Sequence, residues 1–200
     1  MKIKRVGIDL DNTVADYLSA AAPLLKEHYG LVPDFTIPTH KIEDVFGITS
    51  ETRPPDMRKK LYEDLHLFRN LFLLEPDIHK LPQRIFLQMA MQHQVNTKIY
   101  FITARTPTPT IVEDTIEWLS KHQFHFDDIF FVGDKAALCE MMHIDVMIED
   151  EPFQANKIVE TETKVVLRDQ PWNREVPSSD NLVRVFNWRH ALEATKEFMI

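Results

Sequence analysis

The chain has 200 residues, of which 44% are hydrophobic and 27% charged, values typical of a soluble globular protein with one core and a small insertion. Its formal net charge of -8 repels the phosphate backbone of nucleic acids, so we expect no nucleic-acid polymer as a partner. No apolar stretch approaches the roughly 20 residues of a membrane span, and the first residues do not form the apolar run of a signal peptide. We therefore expect no membrane as a partner either.

The single cysteine, Cys139, cannot form an internal disulfide, which fits the reducing environment of the cytoplasm. It lies in a helical pattern, where we expect a buried and unreactive thiol. We therefore expect a cytoplasmic protein. A homodimer stays open, because the sequence identifies no interface.

Short apolar runs rich in Val, Ile and Phe recur along the chain and predict buried strands. The predicted strands are Val6–Leu10, Ile99–Thr103, Ile129–Val132, Val146–Glu149, Lys164–Leu167 and Val183–Phe186. Helical patterns lie at Leu81–His93, Thr110–His122, Lys135–Met142, Pro152–Val159 and Trp188–Phe198. Strands that alternate with helices predict an α/β fold, in which helices flank a parallel sheet.

The first two predicted strands are separated by far more than one crossover helix, which indicates an insertion. Tyr17–Tyr29 and Met57–Leu65 predict two helices within it, and the chain between them, rich in Pro, Thr and Asp, predicts irregular structure. The predicted domains are a core of residues 1–14 and 82–200 and a small helical cap of residues 15–81.

Polar residues follow the predicted strands, and in an open parallel sheet ligands bind beyond the carboxyl ends of the strands. In chain order these residues are Asp9 and Asp11, Thr103, Lys135, and Glu149 with Asp150. Extended backbone would turn the side chains of Asp9 and Asp11 to the same side, and two like charges so close need a cation. Mg²⁺ suits the position, since it binds carboxylate, carbonyl, water and phosphate oxygens.

Each of the later residues has both a functional and a purely structural interpretation. Thr103 either donates to a phosphate oxygen, together with the amides that follow it, or ends its strand as a cap. Lys135 either binds an anion or is an ordinary solvated lysine. The first is favoured by its place at the start of a helix, where the dipole disfavours a cation unless an anion lies nearby. Asp150 completes a metal shell, caps the next helix, or does both. Because each residue follows a different strand, the set favours a site for magnesium and phosphate.

These segments resemble the four motifs of the haloacid dehalogenase superfamily, which are D-x-D-x-T/V, a strand-end Thr or Ser, a Lys and an acidic pair. The matching residues are Asp9-Leu10-Asp11-Asn12-Thr13, Thr103, Lys135 and Glu149-Asp150. More narrowly, the chain resembles the 5′(3′)-deoxyribonucleotidase family, in which a short helical cap follows the first motif. The segments that carry this likeness are Phe101-Ile102-Thr103-Ala104, Gly133-Asp134-Lys135, 145–152 and 169–174.

The resemblance implies a Mg²⁺-dependent phosphatase that acts on a small phosphate ester. Asp9 would be the nucleophile and Asp11 the general acid and base, and Mg²⁺ would be held by the Asp9 carboxylate, the Asp11 carbonyl and Asp150. The implied phosphate-binding residues are Thr103, Lys135, Ala104 and Arg105. Glu149 and Ala104 depart from the Asp and Ser that the family usually carries, and Arg105 stands in for a second phosphate-binding lysine.

Three functions remain open from the sequence. The first is a nucleotidase for nucleoside monophosphates, and the second is a phosphatase for another small ester. The third is a domain without catalytic activity that binds a metal or ligand. We expect the cap to choose the substrate, with Phe35, Phe46, Phe68 and Phe72 as candidates for stacking on a base, although cap aromatics more often form the core of the cap itself.

Overall fold

The computed structural model describes residues 3–74 and 97–199. Its strands are β1 (Lys4–Ile8), β2 (Ala15–Asp16), β3 (Phe72–Leu73), β4 (Thr97–Thr103), β5 (Asp128–Phe131), β6 (Val146–Glu149), β7 (Lys164–Arg168) and β8 (Leu182–Val185). Its helices are α1 (Tyr17–Tyr29), α2 (Ile42–Val45), α3 (Met57–Lys59), α4 (Pro109–Lys121), α5 (Lys135–Met142), α6 (Pro152–Ile158) and α7 (Trp188–Met199). The predicted helix Leu81–His93 and the predicted domain boundary at residues 81 and 82 lie outside the described residues.

Six strands form one parallel sheet in the order β5-β4-β1-β6-β7-β8, which confirms the predicted α/β architecture. β1 lies between β4 and β6, so the strand order reverses on either side of it. Its neighbours pack so closely that a side chain at Gly7 would place its Cβ 2.6 Å from the Met147 sulfur and 2.8 Å from Ile102 Cδ1. The carboxyl ends of these three strands therefore meet at one edge of the sheet, where a ligand site is expected.

The inserted segment is more ordered than the sequence predicts. α1 runs from the N-cap Asp16, whose side chain accepts from the Ser19 amide, to Gly30 in the left-handed conformation. α3 continues as a π-helical turn over Lys60–Asp64, in which the Leu65 amide donates to the Lys60 carbonyl at 2.9 Å, where the sequence predicts one α-helix.

The antiparallel pairing of β2 with β3 and the short helix α2 have no counterpart in the sequence prediction. Two-residue strands are too short for an alternation of apolar and polar side chains to be visible.

Buried polar contacts fasten the turn at residues 66–71 to α4. The Asp114 carboxylate, fully buried on α4, lies 3.0 Å from His66 Nδ1 and accepts from Arg69 Nε at 2.9 Å. The Trp118 indole donates to the Leu71 carbonyl at 2.8 Å. The inserted segment is therefore joined to the core by charged and polar bonds as well as by apolar packing.

Within residues 3–74 and 97–199, no helix combines the length and the apolar character needed to cross a membrane.

Candidate active site

A tight loop follows β1 and carries the first two candidate residues. The strand ends at Ile8, two residues before the predicted end, and the amides of Val14 and Ala15 both donate to the Leu10 carbonyl at 2.9 Å. Asn12 adopts the left-handed conformation with φ of 61°. Because the chain curls here instead of staying extended, the carboxylates of Asp9 and Asp11 contact different cations of the protein.

Lys135 joins two of the buried acids. Its Nζ donates to Asp9 Oδ1 at 2.6 Å and to Glu149 Oε2 at 2.7 Å, and its side chain is 3% exposed. Lys135 is the first residue of α5, where the helix dipole opposes a cation, and these two carboxylates supply the anions that make the position favourable.

Asp150 follows β6 and is held from three sides. Thr13 Oγ1 lies 2.9 Å from Asp150 Oδ1 and 3.1 Å from Asp9 Oδ2, so its proton links the two acids. The Trp172 indole donates to Asp150 Oδ2 at 3.1 Å, and the Asn173 side chain donates to the Asp150 carbonyl at 2.8 Å. The helix that follows is capped by Glu151 and not by Asp150, whose side chain lines the site instead.

Asp9, Glu149 and Asp150 form a buried set of possible metal ligands. One carboxylate oxygen from each lies within 4.8 Å of the other two. Carboxylate oxygens are the donors that hard divalent cations prefer, so the residues fit such an ion.

Negative charge is in excess in this set, because three carboxylates lie close together and Lys135 pairs with two of them. Burial raises the pKa of Glu149 to about 7, against the opposing effect of the lysine. Burial, followed by the charges of Asp9 and Glu149, also raises the pKa of Asp150 well above its usual range. Burial alone would lower the pKa of Lys135, but the attraction of Asp9 and Glu149 outweighs it and raises that pKa. A bound divalent cation would relieve the repulsion among the acids.

Asp11 pairs instead with Arg105, which follows β4. The guanidinium donates from Nη2 to Asp11 Oδ1 at 2.6 Å and from Nε to Asp11 Oδ2 at 2.9 Å. Nearby, Thr103 Oγ1 accepts from the Arg105 amide at 3.3 Å. Both residues are buried, whereas Ala104 between them is exposed.

A cavity of about 630 Å³ opens above these groups. Its lining includes all seven residues that the sequence nominates, which are Asp9, Asp11, Thr103, Ala104, Arg105, Lys135 and Asp150. The inserted segment supplies an aromatic wall of Tyr17, Tyr62 and Phe68, and the exposed residues Arg58 and Lys59 also line the cavity. The fold therefore brings the chemical groups and a substrate-sized space together.

The aromatic wall is tightly organised. The rings of Tyr62 and Phe68 stack with centroids 4.8 Å apart, and the hydroxyls of Tyr17 and Tyr62 share a hydrogen bond of 2.7 Å. Burial raises the pKa of both tyrosines, so both stay protonated near neutral pH. Of the four predicted aromatic candidates, Phe68 lines the cavity, whereas Phe35, Phe46 and Phe72, which the structure also describes, do not.

Several residues of the site were not singled out from the sequence. Tyr17 and Tyr62 lie in helical patterns that read equally well as cap core. No sequence signal shows that Glu149 accepts from Lys135, because Lys135 follows one strand and Glu149 ends another. Trp172 belongs to the segment 169–174 that resembles a family loop, but no sequence signal shows that its indole reaches Asp150.

Comparison with known proteins places the chain in a family. Residues 2–197 match the family model described as 5′ nucleotidase, deoxy (Pyrimidine), cytosolic type C protein. A protein of Halalkalibacterium halodurans described as a putative nucleotidase is 27% identical over 99% of this chain and 95% of its own length. A second, from Oceanobacillus iheyensis and described in the same words, is 22% identical over 94% of this chain and 97% of its own length.

Solved structures show the same fold at low sequence identity. A haloacid dehalogenase-like hydrolase from Streptococcus pneumoniae superposes with a TM-score of 0.58 and 16% identity, covering 98% of both chains. A hydrolase of the same superfamily from Deinococcus radiodurans, solved with bound phosphate and sodium, gives a TM-score of 0.59 and 12% identity over 98% of this chain and 96% of its own. The family match decides for an enzyme over a binding domain without activity. The chain belongs to the 5′ nucleotidase, deoxy (Pyrimidine), cytosolic type C family, and is a phosphomonoester hydrolase with the fold of haloacid dehalogenase-like hydrolases.

Proposed function

We propose that this protein is a Mg²⁺-dependent nucleotidase that hydrolyses ribo- or deoxyribonucleoside monophosphates through an aspartyl phosphate on Asp9. The observation that carries the proposal is the position of Asp9, a buried residue that lines a substrate-sized cavity and whose carboxylate contacts both Lys135 and Thr13. A buried carboxylate oriented by two donors is suited to in-line attack on phosphorus.

The reaction divides into two displacements. In the first, an Asp9 oxygen bonds to phosphorus, the ester bond breaks, and Asp11 gives its proton to the leaving oxygen. In the second, Asp11 takes a proton from water, the water oxygen attacks phosphorus, and the bond to Asp9 breaks to release inorganic phosphate. Asp11 suits both steps because it lies at the cavity, partly exposed, beside the nucleophile.

Groups at the carboxyl end of β4 and at the start of α5 would bind the phosphate. We assign this role to Thr103, the backbone at Ala104, Arg105 and Lys135, all of which line the cavity. Asp9, Asp150 and the Asp11 carbonyl would hold Mg²⁺. Glu149 belongs to the same cluster of acids and would lie near the ion. When bound, the ion offsets the charge of the acids and of the phosphate oxygens.

The aromatic wall supports a nucleoside as the rest of the substrate. Tyr17, Tyr62 and Phe68 offer a flat apolar surface, and aromatic faces stack favourably on bases. We assign this wall to the proposed cap of residues 15–81. The cap would then select the substrate, while the proposed core of residues 1–14 and 82–200 carries the chemistry. The buried free thiol of Cys139 supports a cytoplasmic location.

A substrate panel tests the proposal. Purified protein is given ribo- and deoxyribonucleoside 5′- and 3′-monophosphates, sugar phosphates and p-nitrophenyl phosphate, with Mg²⁺ or with EDTA, and phosphate release is measured. We expect release that requires Mg²⁺ and is fastest for a nucleoside monophosphate. Faster turnover of a sugar or organic acid phosphate would overturn the nucleotidase assignment, and undiminished turnover in EDTA would overturn the metal requirement.

Replacing Trp172 by phenylalanine should weaken Mg²⁺ binding while the fold is kept. The indole N–H is a direct donor to Asp150 Oδ2, and losing a partner that orients a metal ligand lowers metal affinity by about 10-fold. Isothermal titration with MgCl₂ measures the change without relying on turnover. Trp118→Phe is the matched control, because its indole bonds to the Leu71 carbonyl instead. Equal Mg²⁺ affinity in Trp172→Phe and wild type would contradict the role of the indole.

A further inference from the structure

All three nitrogens of the Arg105 guanidinium donate to side chains of the protein. The Arg105 side chain is 2% exposed, and Nε and Nη2 donate to the two oxygens of the Asp11 carboxylate. A third nitrogen, Nη1, donates to Thr115 Oγ1 on α4 at 2.8 Å. The Thr115 hydroxyl in turn donates to the Ile111 carbonyl at 2.6 Å, which orients it to accept from the guanidinium.

The inserted segment packs an aromatic ring against the guanidinium. The Phe68 ring lies 4.2 Å from the central carbon of Arg105, within the range of a cation–π contact. Phe68 is placed by the turn whose neighbours His66 and Arg69 bond to Asp114 on α4. Arg105 is thus fixed by α4 on one side and by the turn at residues 66–71 on another, and Asp11 is fixed by Arg105.

We infer that Arg105 is a positioning residue for Asp11 in the second displacement, in which water releases phosphate from Asp9. The ion pair fixes the direction of both Asp11 carboxylate oxygens at the lining of the cavity in which the aspartyl phosphate would form. This inference rests on the proposed function, in which Asp11 serves as the base.

The two half-reactions can be separated with p-nitrophenyl phosphate. Its leaving group departs as a stable anion, so formation of the aspartyl phosphate needs no proton from Asp11, whereas its hydrolysis still needs Asp11 as base. Rapid mixing with Mg²⁺ present follows p-nitrophenol release for the first step, and acid quenching of radiolabelled protein follows decay of the aspartyl phosphate for the second.

Arg105→Lys keeps the positive charge but cannot hold both Asp11 oxygens and Thr115 at once. We expect it to slow decay of the aspartyl phosphate by about 10- to 100-fold and its formation, through weaker phosphate binding, by a clearly smaller factor, so that labelled protein accumulates. Thr115→Val, which removes one contact of the guanidinium and leaves Asp11 bonded, should slow the same step by a smaller factor. It also carries the test if Arg105→Lys does not fold, as judged by thermal melting.

Other outcomes overturn the inference. Equal slowing of both steps, with weaker inhibition by inorganic phosphate, would make Arg105 a phosphate ligand and nothing more. Unchanged decay in both variants would make the contact with Asp11 irrelevant to the second step. Failure of the wild type to form any labelled protein would instead contradict the aspartyl-phosphate mechanism, and is distinguished by that control.

Discussion

Replacing Asp9 by asparagine should abolish phosphate release from every substrate of the panel, with a loss on the order of 10⁴-fold or more. An amide oxygen is a poor nucleophile and cannot form the aspartyl phosphate. Asparagine has nearly the shape of aspartate and keeps an oxygen that can accept from Lys135, so we expect the fold to survive. Steady-state assays at saturating Mg²⁺ measure the loss, and thermal melting checks the fold.

Asp180→Asn is the matched control, since it makes the same chemical change at an exposed position away from the cavity. It should leave turnover within about 2-fold of wild type, as expected for a surface change. Radiolabelled substrate should mark the wild-type protein and the control, but not Asp9→Asn. Appreciable turnover by Asp9→Asn in a preparation free of deamidated protein would contradict the role of Asp9 as nucleophile.

Replacing Lys135 by methionine should abolish turnover and also destabilise the metal-free protein. The change leaves the buried carboxylates of Asp9 and Glu149 without the cation that both contact. Removing one partner of a buried ion pair costs about 3–5 kcal/mol of stability, because the remaining charge is uncompensated. Urea unfolding in EDTA measures this loss, and Mg²⁺ should restore more stability to the variant than to wild type.

The double variant Lys135→Met with Glu149→Gln separates the two effects. Removing the charge of Glu149 relieves part of the repulsion, so we expect stability to recover partly while turnover stays absent. Recovery of turnover in the double variant would show that Lys135 acts only by balancing charge and does not bind phosphate. A single variant as stable as wild type in EDTA would contradict the assigned ion pairs.

The sequence predicts the main elements well where one local pattern covers many residues. The apolar runs that became β4 and β6 and the helical pattern of α5 agree with the structure to within a few residues. Signals fail where an element is short or leaves the usual geometry. The pairing of β2 with β3 involves two residues on each strand, and the π-helical turn after α3 depends on one shifted hydrogen bond.

The candidate site divides in the same way. The carboxylates, the threonine and the lysine could be nominated from their positions after strands, because parallel strands bring their carboxyl ends to one edge. Their pairing could not. The sequence indicates no side-chain partner for either acid of the first motif, whereas in the structure Asp9 contacts Lys135 and Asp11 contacts Arg105. The strand ends at Ile8, before both acids, and the left-handed conformation of Asn12 just after them leaves no reliable mark in the sequence.

By itself, the sequence determined the α/β class, the order of the chemical groups along the chain and the superfamily whose motifs they resemble. These depend on local spacing, which is visible in one dimension. The tertiary structure alone decided which acid meets which cation, that Trp172 bonds to Asp150, and that Tyr17, Tyr62 and Phe68 form one wall. Arg105 and Asp11 are 94 positions apart, and Trp172 and Asp150 are 22 apart. Contacts over such separations depend on how the whole chain packs, which no local pattern records.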